Sequence, residues 1–415
     1  MSKEEFIMSL NAAPSAERTH IGIFGRRNAG KSSLINALTG QDLAIVNEQA
    51  GTTTDPVAKA MELLPLGPVV MIDTPGIDDE GELGRLRVLK AYQVLNKTDI
   101  ALLTVDASGS ITAEDAALWE KIRQKKLPAL LIFNKCELAD VARQQALQQQ
   151  AEKLGAPYFF ASAQKKLNIY ELKEAIAKLR PQTEEKELLD GLAEANDVIL
   201  LVTPVDSAAP KGRLILPQQQ TLRNILDKRA IAVVVQESEL ADALAKLQAP
   251  PKLVITDSQA FAKVSKIVPP QVPLTSFSIL FARYKGSLYN AVAGVRALDK
   301  IKNGDKILIS EGCTHHRQCE DIGTVKLPAW IRSYTGSEPD FSWSSGTEFP
   351  ADLSQYKLII HCGACMLNER EVLYRNKCAA DQHIPMTNYG IAIAYMHGIL
   401  KRTVAPLPGI AELLE

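Results

Sequence analysis

Two groups of residues in this 415-residue chain have the types and spacing to do chemistry. The first is Gly25-Arg26-Arg27-Asn28-Ala29-Gly30-Lys31-Ser32, a glycine, four residues and then Gly-Lys-Ser. That is the spacing of a P-loop. Its glycines let the backbone fold into a nest of inward-pointing amide hydrogens. A helix start just beyond adds partial positive charge, so a polyphosphate is held mainly by main chain. Lys31 then reaches the β- and γ-phosphates, the Ser32 hydroxyl is a ligand for magnesium, and Asn28, Ala29, Gly30 and Ser33 complete the expected contacts. The second group comprises Cys313, Cys319, Cys362, Cys365 and Cys378, all in the last quarter, with His315, His316 and His361 among them. In a reducing compartment, such clustering favours metal binding over disulfides.

The elements that must position the first group follow in the order an α/β fold requires. Ile21 to Phe24 is a short apolar strand, and Ser33 to Leu38 continues with helical spacing, so strand, Gly-rich turn and helix come in sequence. Gly51-Thr52-Thr53-Thr54-Asp55 is a polar loop able to place the Thr53 hydroxyl on magnesium. The strand Val69 to Ile72 runs into Asp73-Thr74-Pro75-Gly76, where the carboxylate meets the magnesium shell and the Gly76 amide meets the γ-phosphate. Asn96-Lys97-Thr98-Asp99 fits a guanine-reading pattern but precedes the strand Ile100 to Val105, and ligands of open parallel sheets bind beyond the carboxyl ends of strands. Asn134-Lys135-Cys136-Glu137, after the strand Ala129 to Phe133, is therefore the guanine loop, with Glu137 accepting from the base. Ser162 and Ala163, after Phe159-Phe160, close the base site.

The remainder divides at Pro181-Gln182 and again at Pro269-Pro270-Gln271-Val272-Pro273. Between these lies a small α/β segment with strands at Val198 to Val202, Ile231 to Val235 and Lys252 to Ile255 and no convincing constellation. It reads as an interaction domain. The composition, 46% hydrophobic and 23% charged with a formal charge of −1, is that of an ordinary globular chain and lacks the basic excess of a nucleic-acid binder. No apolar run has membrane-span length and Met1 to Glu5 lacks the layout of a signal peptide, so a cytoplasmic protein with no membrane partner is expected.

In the last segment, the strand Lys306 to Ser310 ends in Glu311-Gly312-Cys313-Thr314-His315-His316, and Leu358 to Ile360 ends in His361-Cys362-Gly363-Ala364-Cys365. Each delivers soft ligands from the carboxyl end of a strand, and Gly312 and Gly363 are expected to let backbone approach a bulky inorganic group. A closed zinc site and an iron–sulfur cluster both fit. A cluster on Cys313, Cys362 and Cys365 leaves one iron open, with Glu320, Asp321, His315, His361 and Cys319 as candidate fourth ligands.

The nucleotide residues together resemble the TrmE and Era branch of the translation-factor-related GTPases. The resemblance implies GTP and Mg2+, and it gives Asn28 a role with K+ in place of an arginine finger. Ile77 stands where other families carry a water-orienting glutamine, so slow, potassium-stimulated GTP hydrolysis is implied. Cys313-x-His315 and His361-Cys362-x-x-Cys365 resemble the signature of HydF, the maturation GTPases of the iron-only hydrogenase. That resemblance covers the whole chain. It implies an α/β architecture of a P-loop GTPase domain (1–181, mostly parallel sheet), a dimerisation domain (182–268) and an iron–sulfur cluster domain (269–415). It also implies a 4Fe-4S cluster on the three cysteines, a transient diiron precursor as cargo, delivery to the apo-[FeFe]-hydrogenase, radical-SAM maturation proteins as further partners, and a homodimer or larger oligomer. The competing expectation is a ribosome- or RNA-associated GTPase with a structural zinc.

Overall fold

The computed structural model describes residues 17–40, 56–77, 81–180, 186–204, 214–312, 322–346 and 348–414. The chain forms two compact units, Met1–Thr183 and Glu184–Glu415.

The first unit is built on strands β1 (Thr19–Phe24), β2 (Val57–Leu63), β3 (Gly67–Asp73), β4 (Ile100–Asp106), β5 (Ala129–Asn134) and β6 (Tyr158–Phe160). Their order is β2-β3-β1-β4-β5-β6, parallel except for the edge strand β2. The central strands are continuous apolar runs because helices cover both faces. Ile21, Ile23 and Leu102 pack into one buried cluster, and Phe24, Leu103 and Val105 into another on the opposite face. Hence β1, β3 and β5 all stop at one edge of the sheet, where the P-loop, Asp73 and Asn134 emerge. Asn96 and Asp99 lie at the other edge, and both are structural. The Asn96 Oδ1 accepts from Lys125 Nζ (2.9 Å), and the Asp99 carboxylate accepts from the His20 amide (2.8 Å).

The second unit holds two parallel four-stranded sheets. One contains β7 (Val198–Val202), β8 (Ile231–Val235), β9 (Leu253–Thr256) and β10 (Leu274–Ser276) in the order β10-β9-β7-β8. The other contains β11 (Lys306–Ser310), β12 (Asp340–Ser344), β13 (Leu358–His361) and β14 (Met386–Asn388) in the order β12-β11-β13-β14. Strand β10, which follows the Pro269 to Pro273 run, completes the first of these sheets. Both sheets contribute to one hydrophobic core, with Ile199, Leu201 and Ile255 from one and Ile307, Ile309 and Ile360 from the other. Helices Phe277–Tyr284 and Tyr389–Met396 add Ile279, Phe281, Ile391 and Ile393 to the same core.

Arg402 ties the end of the chain back onto this unit. It donates to the carbonyls of Ser265, Val268 and Pro269 at 2.8–2.9 Å, satisfying acceptors left over at the end of helix Phe261–Ile267. Arg402→Met keeps the apolar stem and orphans these carbonyls. It is expected to cost about 2 kcal/mol, measured as a lower denaturant midpoint of the second unit with an unchanged slope.

Candidate functional site

The loop between β1 and helix Lys31–Thr39 has the backbone of a phosphate cradle. Gly25 (φ 145°) and Gly30 (φ 87°) hold conformations that side chains resist, and a Cβ on either would lie 2.2 Å from the Thr104 carbonyl oxygen or the Asn134 amide nitrogen, respectively. The Lys31 ammonium donates to the carbonyls of Gly25 (3.0 Å) and Arg26 (2.8 Å), which centres it in the loop. Ser32 Oγ donates to Asp73 Oδ2 at 2.6 Å, and Asp73 Oδ1 is buried with no hydrogen-bond partner among the described residues. Burial pushes the Asp73 carboxyl up, against the Ser32 hydrogen bond and the Lys31 charge. A hydroxyl beside a carboxylate with an orphaned oxygen is a donor set that suits a hard divalent cation. Thr53, the other expected magnesium ligand, lies outside the described residues. Gly76 follows directly beyond β3, and Ile77 is packed into the core, so no side chain there can orient water.

The guanine loop is bound to the phosphate loop. Asn134 donates to the Ala29 carbonyl (3.0 Å) and accepts from the Ala163 amide (3.0 Å), so it spans the P-loop and the Ser162-Ala163 turn. Lys135, itself at φ 61°, donates to the Asn28 carbonyl (2.8 Å) and to Asp106 (2.6 Å). Glu137 has one carboxylate oxygen buried without a partner among the described residues, available to a base donor. Ser162 is buried and its hydroxyl accepts from the Lys165 amide (3.0 Å), while Asn28 is exposed at the loop mouth and Ser33 half-buried on the following helix. Asp106, Arg26 and Asp115 escape motif reading. Arg26 of the P-loop lies 3.2 Å from the fully buried Asp115, which also caps helix Ala113–Gln124 with Thr112. The Thr112-x-x-Asp115 spacing signals that helix start but not the ion pair.

In the second unit the ends of β11 and β13 are adjacent, with Ser310 in register with His361. Beyond them, the Gly312 amide donates to Cys362 Sγ (3.1 Å), as does the Ala364 amide (3.4 Å). The next residue after Gly312 is Cys313, which lies outside the described residues together with His315, Cys319, Glu320 and Asp321. Among the described residues no three His, Cys, Asp or Glu side chains converge on a metal position. Cys362 and Cys365 are half-buried free thiols, and burial pushes Cys365 up to about 11. Two sulfurs on one tight loop, one already accepting backbone amides, suit a thiophilic metal or cluster.

His361 is a candidate ligand by its place in the sequence, but both of its ring nitrogens are engaged. Arg375 donates to Nε2 (3.0 Å) and Nδ1 meets the Cys362 carbonyl (2.9 Å); burial and the Arg375 charge hold the imidazole down to about 3, hence neutral. The expected roles of the two glycines also differ. A Cβ on Gly312 would collide with Leu367 at 2.7 Å, whereas one on Gly363 would make only ordinary contact with Ser278 at 3.6 Å. A cavity of about 20 Å³ behind the loop, lined by Lys285, His361, Cys362, Asn376, Thr387 and Asn388 among others, has room for a water. Cys378 packs partly against the core cluster around Leu308, and His383 and His397 are exposed.

The sheet order, the P-loop and the Asp73-to-Gly76 turn define the first unit as a P-loop GTPase domain. A family model described as "50S ribosome-binding GTPase" matches residues 20–135. The hydrogen maturase F dimerization domain matches residues 188–286 and the hydrogen maturase F tetramerization domain residues 289–406. The chain belongs to the HydF family of hydrogenase maturases. Its first part is also similar to curated GTPases. The tRNA modification GTPase MnmE of Lactobacillus helveticus is 34% identical over 182 residues, 43% of this chain and 36% of that protein. The GTPase Der of Wolinella succinogenes is 33% identical over 184 residues, 43% of this chain and 38% of that one. The chain thus spans little more than a third of the length of these relatives. A crystal structure of Aquifex aeolicus Era is similar at 22% identity, covering 52% of this chain and 92% of that one with a TM-score of 0.37. No helix among the described residues is long and apolar enough to cross a membrane.

Gly30→Ala tests the cradle. The strained φ and the contact with Asn134 are expected to weaken GTP binding at least tenfold, in line with a strain of roughly 1–3 kcal/mol. Titration with a fluorescent GTP analogue reads this, and the second unit's stability should not change.

Proposed function

We propose that the chain is a GTP-hydrolysing scaffold that carries a 4Fe-4S cluster on Cys313, Cys362 and Cys365, binds a diiron precursor as cargo and delivers it to the apo-[FeFe]-hydrogenase. The hydrogen bond from Gly312, the neighbour of Cys313, to Cys362 Sγ carries this reading, because it joins the two cysteine-bearing strand ends. Membership of a hydrogenase-maturase family supports the cargo and the partner, with radical-SAM maturation proteins supplying the precursor. The dimerization and tetramerization models support assembly as a homo-oligomer, and a cytoplasmic location fits this role. The expected division at 1–181, 182–268 and 269–415 is moved in this reading to a second boundary near residue 287, because the dimerization model reaches residue 286 and β10 completes the first sheet of the second unit.

In the nucleotide unit the backbone nest binds the phosphates, Lys31 sits against the β- and γ-oxygens, and Gly76 offers its amide to the γ-phosphate. Ser32 and Thr53, backed by Asp73, would hold Mg2+, which neutralises charge between those oxygens. Asn134 and Lys135 brace the loop, and the free Glu137 oxygen accepts from guanine. With Ile77 buried, charge stabilisation falls to Asn28 with K+, so turnover is slow. In the second unit the three cysteines would hold the cluster, which supplies an iron with an open position for cargo. Because His361 is committed to Arg375 and Cys362, the fourth-ligand role falls to the segment holding His315 and Glu320.

Anaerobic purification is expected to give a brown protein with stoichiometric iron; a colourless protein containing zinc would overturn the cluster assignment. Cys362→Ala should lose the iron chromophore and hydrogenase activation while hydrolysing GTP at the wild-type rate, and Lys31→Ala should abolish turnover yet leave the cluster bound. Turnover in potassium should exceed turnover in sodium severalfold, and equal rates would remove Asn28 from this role.

A further inference from the structure

We propose that Lys285 is a positioning residue of the cysteine site, contributed by the half of the second unit that carries no cysteine. This rests on the metal-centre reading above. Lys285 closes helix Phe277–Tyr284 and is only 3% exposed. Its ammonium donates to the carbonyls of Ala364 and Leu367 and lies 5.7 Å from the Phe281 ring centroid. Ala364 is inside the Cys362-x-x-Cys365 loop at φ 55°, and Leu367 is two residues beyond it. One buried cation thus pins the carbonyls that determine where both sulfurs point. A fixed positive charge there favours a thiolate-ligated, negatively charged occupant.

Internal symmetry singles out Lys285 independently. The two sheets share one strand order and one register: Ile199 faces Leu253 as Ile307 faces Leu358, Val202 faces Thr256 as Ser310 faces His361, and Ser276 faces Thr256 as Asn388 faces His361. Ser276 and Asn388 cap the two equivalent helices through Ile279 and Ile391. Pro273, Thr275, Ile279, Ala282, Gly286 and Leu288 recur at the same spacing as Pro385, Thr387, Ile391, Ala394, Gly398 and Leu400. Gly286 and Gly398 even share positive φ values of 72° and 69°. The second unit therefore has the form of a duplicated half, and the places where the halves differ mark what one of them does alone.

Asp257 stands where Cys362 does and Ala260 where Cys365 does. At the position of Lys285 the other half has His397, exposed and edge-on to Trp330 at 6.4 Å. The halves reach across to each other: Ser278 of one abuts Gly363 in the cysteine loop, and Gly390 of the other abuts Ser258. Lys285 thus changes together with the cysteines, on the helix that crosses over to them.

The experiment compares wild type, Lys285→Met, Lys285→Arg and His397→Met in the full chain. In metal-free protein, hydrogen exchange of the amides at 363–367 should quicken at least tenfold in Lys285→Met. After anaerobic loading with ferrous iron and sulfide, that variant should retain at least fivefold less iron under a chelator challenge, and any residual cluster should have a more negative midpoint potential. Lys285→Arg should recover at least half of the iron, and His397→Met should match wild type throughout. Unchanged exchange and iron retention in Lys285→Met would overturn the proposal. If Lys285→Met does not fold, judged by circular dichroism, Lys285→Gln is read in the same way. A wild type that takes up no iron defeats the cluster reading, while the metal-free exchange still decides the role of Lys285.

Discussion

Arg375 is wholly buried and uses all three guanidinium nitrogens. Nε donates to Glu371 (2.9 Å), Nη1 to Ser310 Oγ (3.2 Å) and His361 Nε2 (3.0 Å), and Nη2 to the Gly346 carbonyl (2.6 Å). Those partners belong to the ends of β11 and β13, to the loop after β12 and to helix Glu369–Asp381. A buried guanidinium is costly unless paired and fully hydrogen-bonded, and removing one partner strands the other charge. The strand ends that launch both cysteine loops are therefore fixed to a common point, and His361 is fixed with them as a neutral acceptor. Two cysteines about 50 positions apart in sequence can meet only if the places from which their loops start do not move.

The nucleotide unit solves the same problem with a neutral strut, braced by one ion pair. Asn134 connects the Ala29 carbonyl to the Ala163 amide, so three loops leaving β1, β5 and β6 are held by one amide side chain. Lys135 reinforces it through the Asn28 carbonyl and Asp106. A phosphate site has to accept several negative charges, and its binding groups are backbone amides whose dipoles need no counter-ion. A neutral strut leaves that potential intact. Under a soft-metal site, where thiolates accumulate negative charge, a buried cation is the better match.

Local geometry was legible in the sequence and distant contact was not. Gly25 to Ser32 and Asp73 to Gly76 are readable because each encodes a turn within a few residues, and strand order sufficed to reject Asn96 to Asp99. The strands that carry the cysteines were equally plain as apolar runs. Arg26 with Asp115, Arg375 with His361, and Lys285 with the Ala364 carbonyl join segments far apart in the chain, and no spacing rule reports them. His361 shows the cost of this. Beside Cys362 it reads as a ligand, and only the buried Arg375 reveals that its nitrogens are taken. One long-range relation is nonetheless written in the sequence. The recurrence of Pro273, Thr275, Ile279, Ala282, Gly286 and Leu288 as Pro385, Thr387, Ile391, Ala394, Gly398 and Leu400 aligns the halves and sets Lys285 opposite His397.

A duplicated framework also alters how the segment boundaries bear on function. The residues matched by the dimerization model end at Gly286, one position after Lys285, and those matched by the tetramerization model begin at Tyr289. Yet the core is continuous across that line, and Lys285, Ser278 and Arg402 all make contacts that cross it. The helix after β10 reaches the loop beyond β13 through Ser278 and Lys285, and the helix after β14 meets Ser258 through Gly390. A substitution between Phe277 and Gly286 therefore acts on the cysteine loop, even though it falls within the segment named for subunit contacts. Sequence position assigns these residues to one half, and packing assigns their effect to the other.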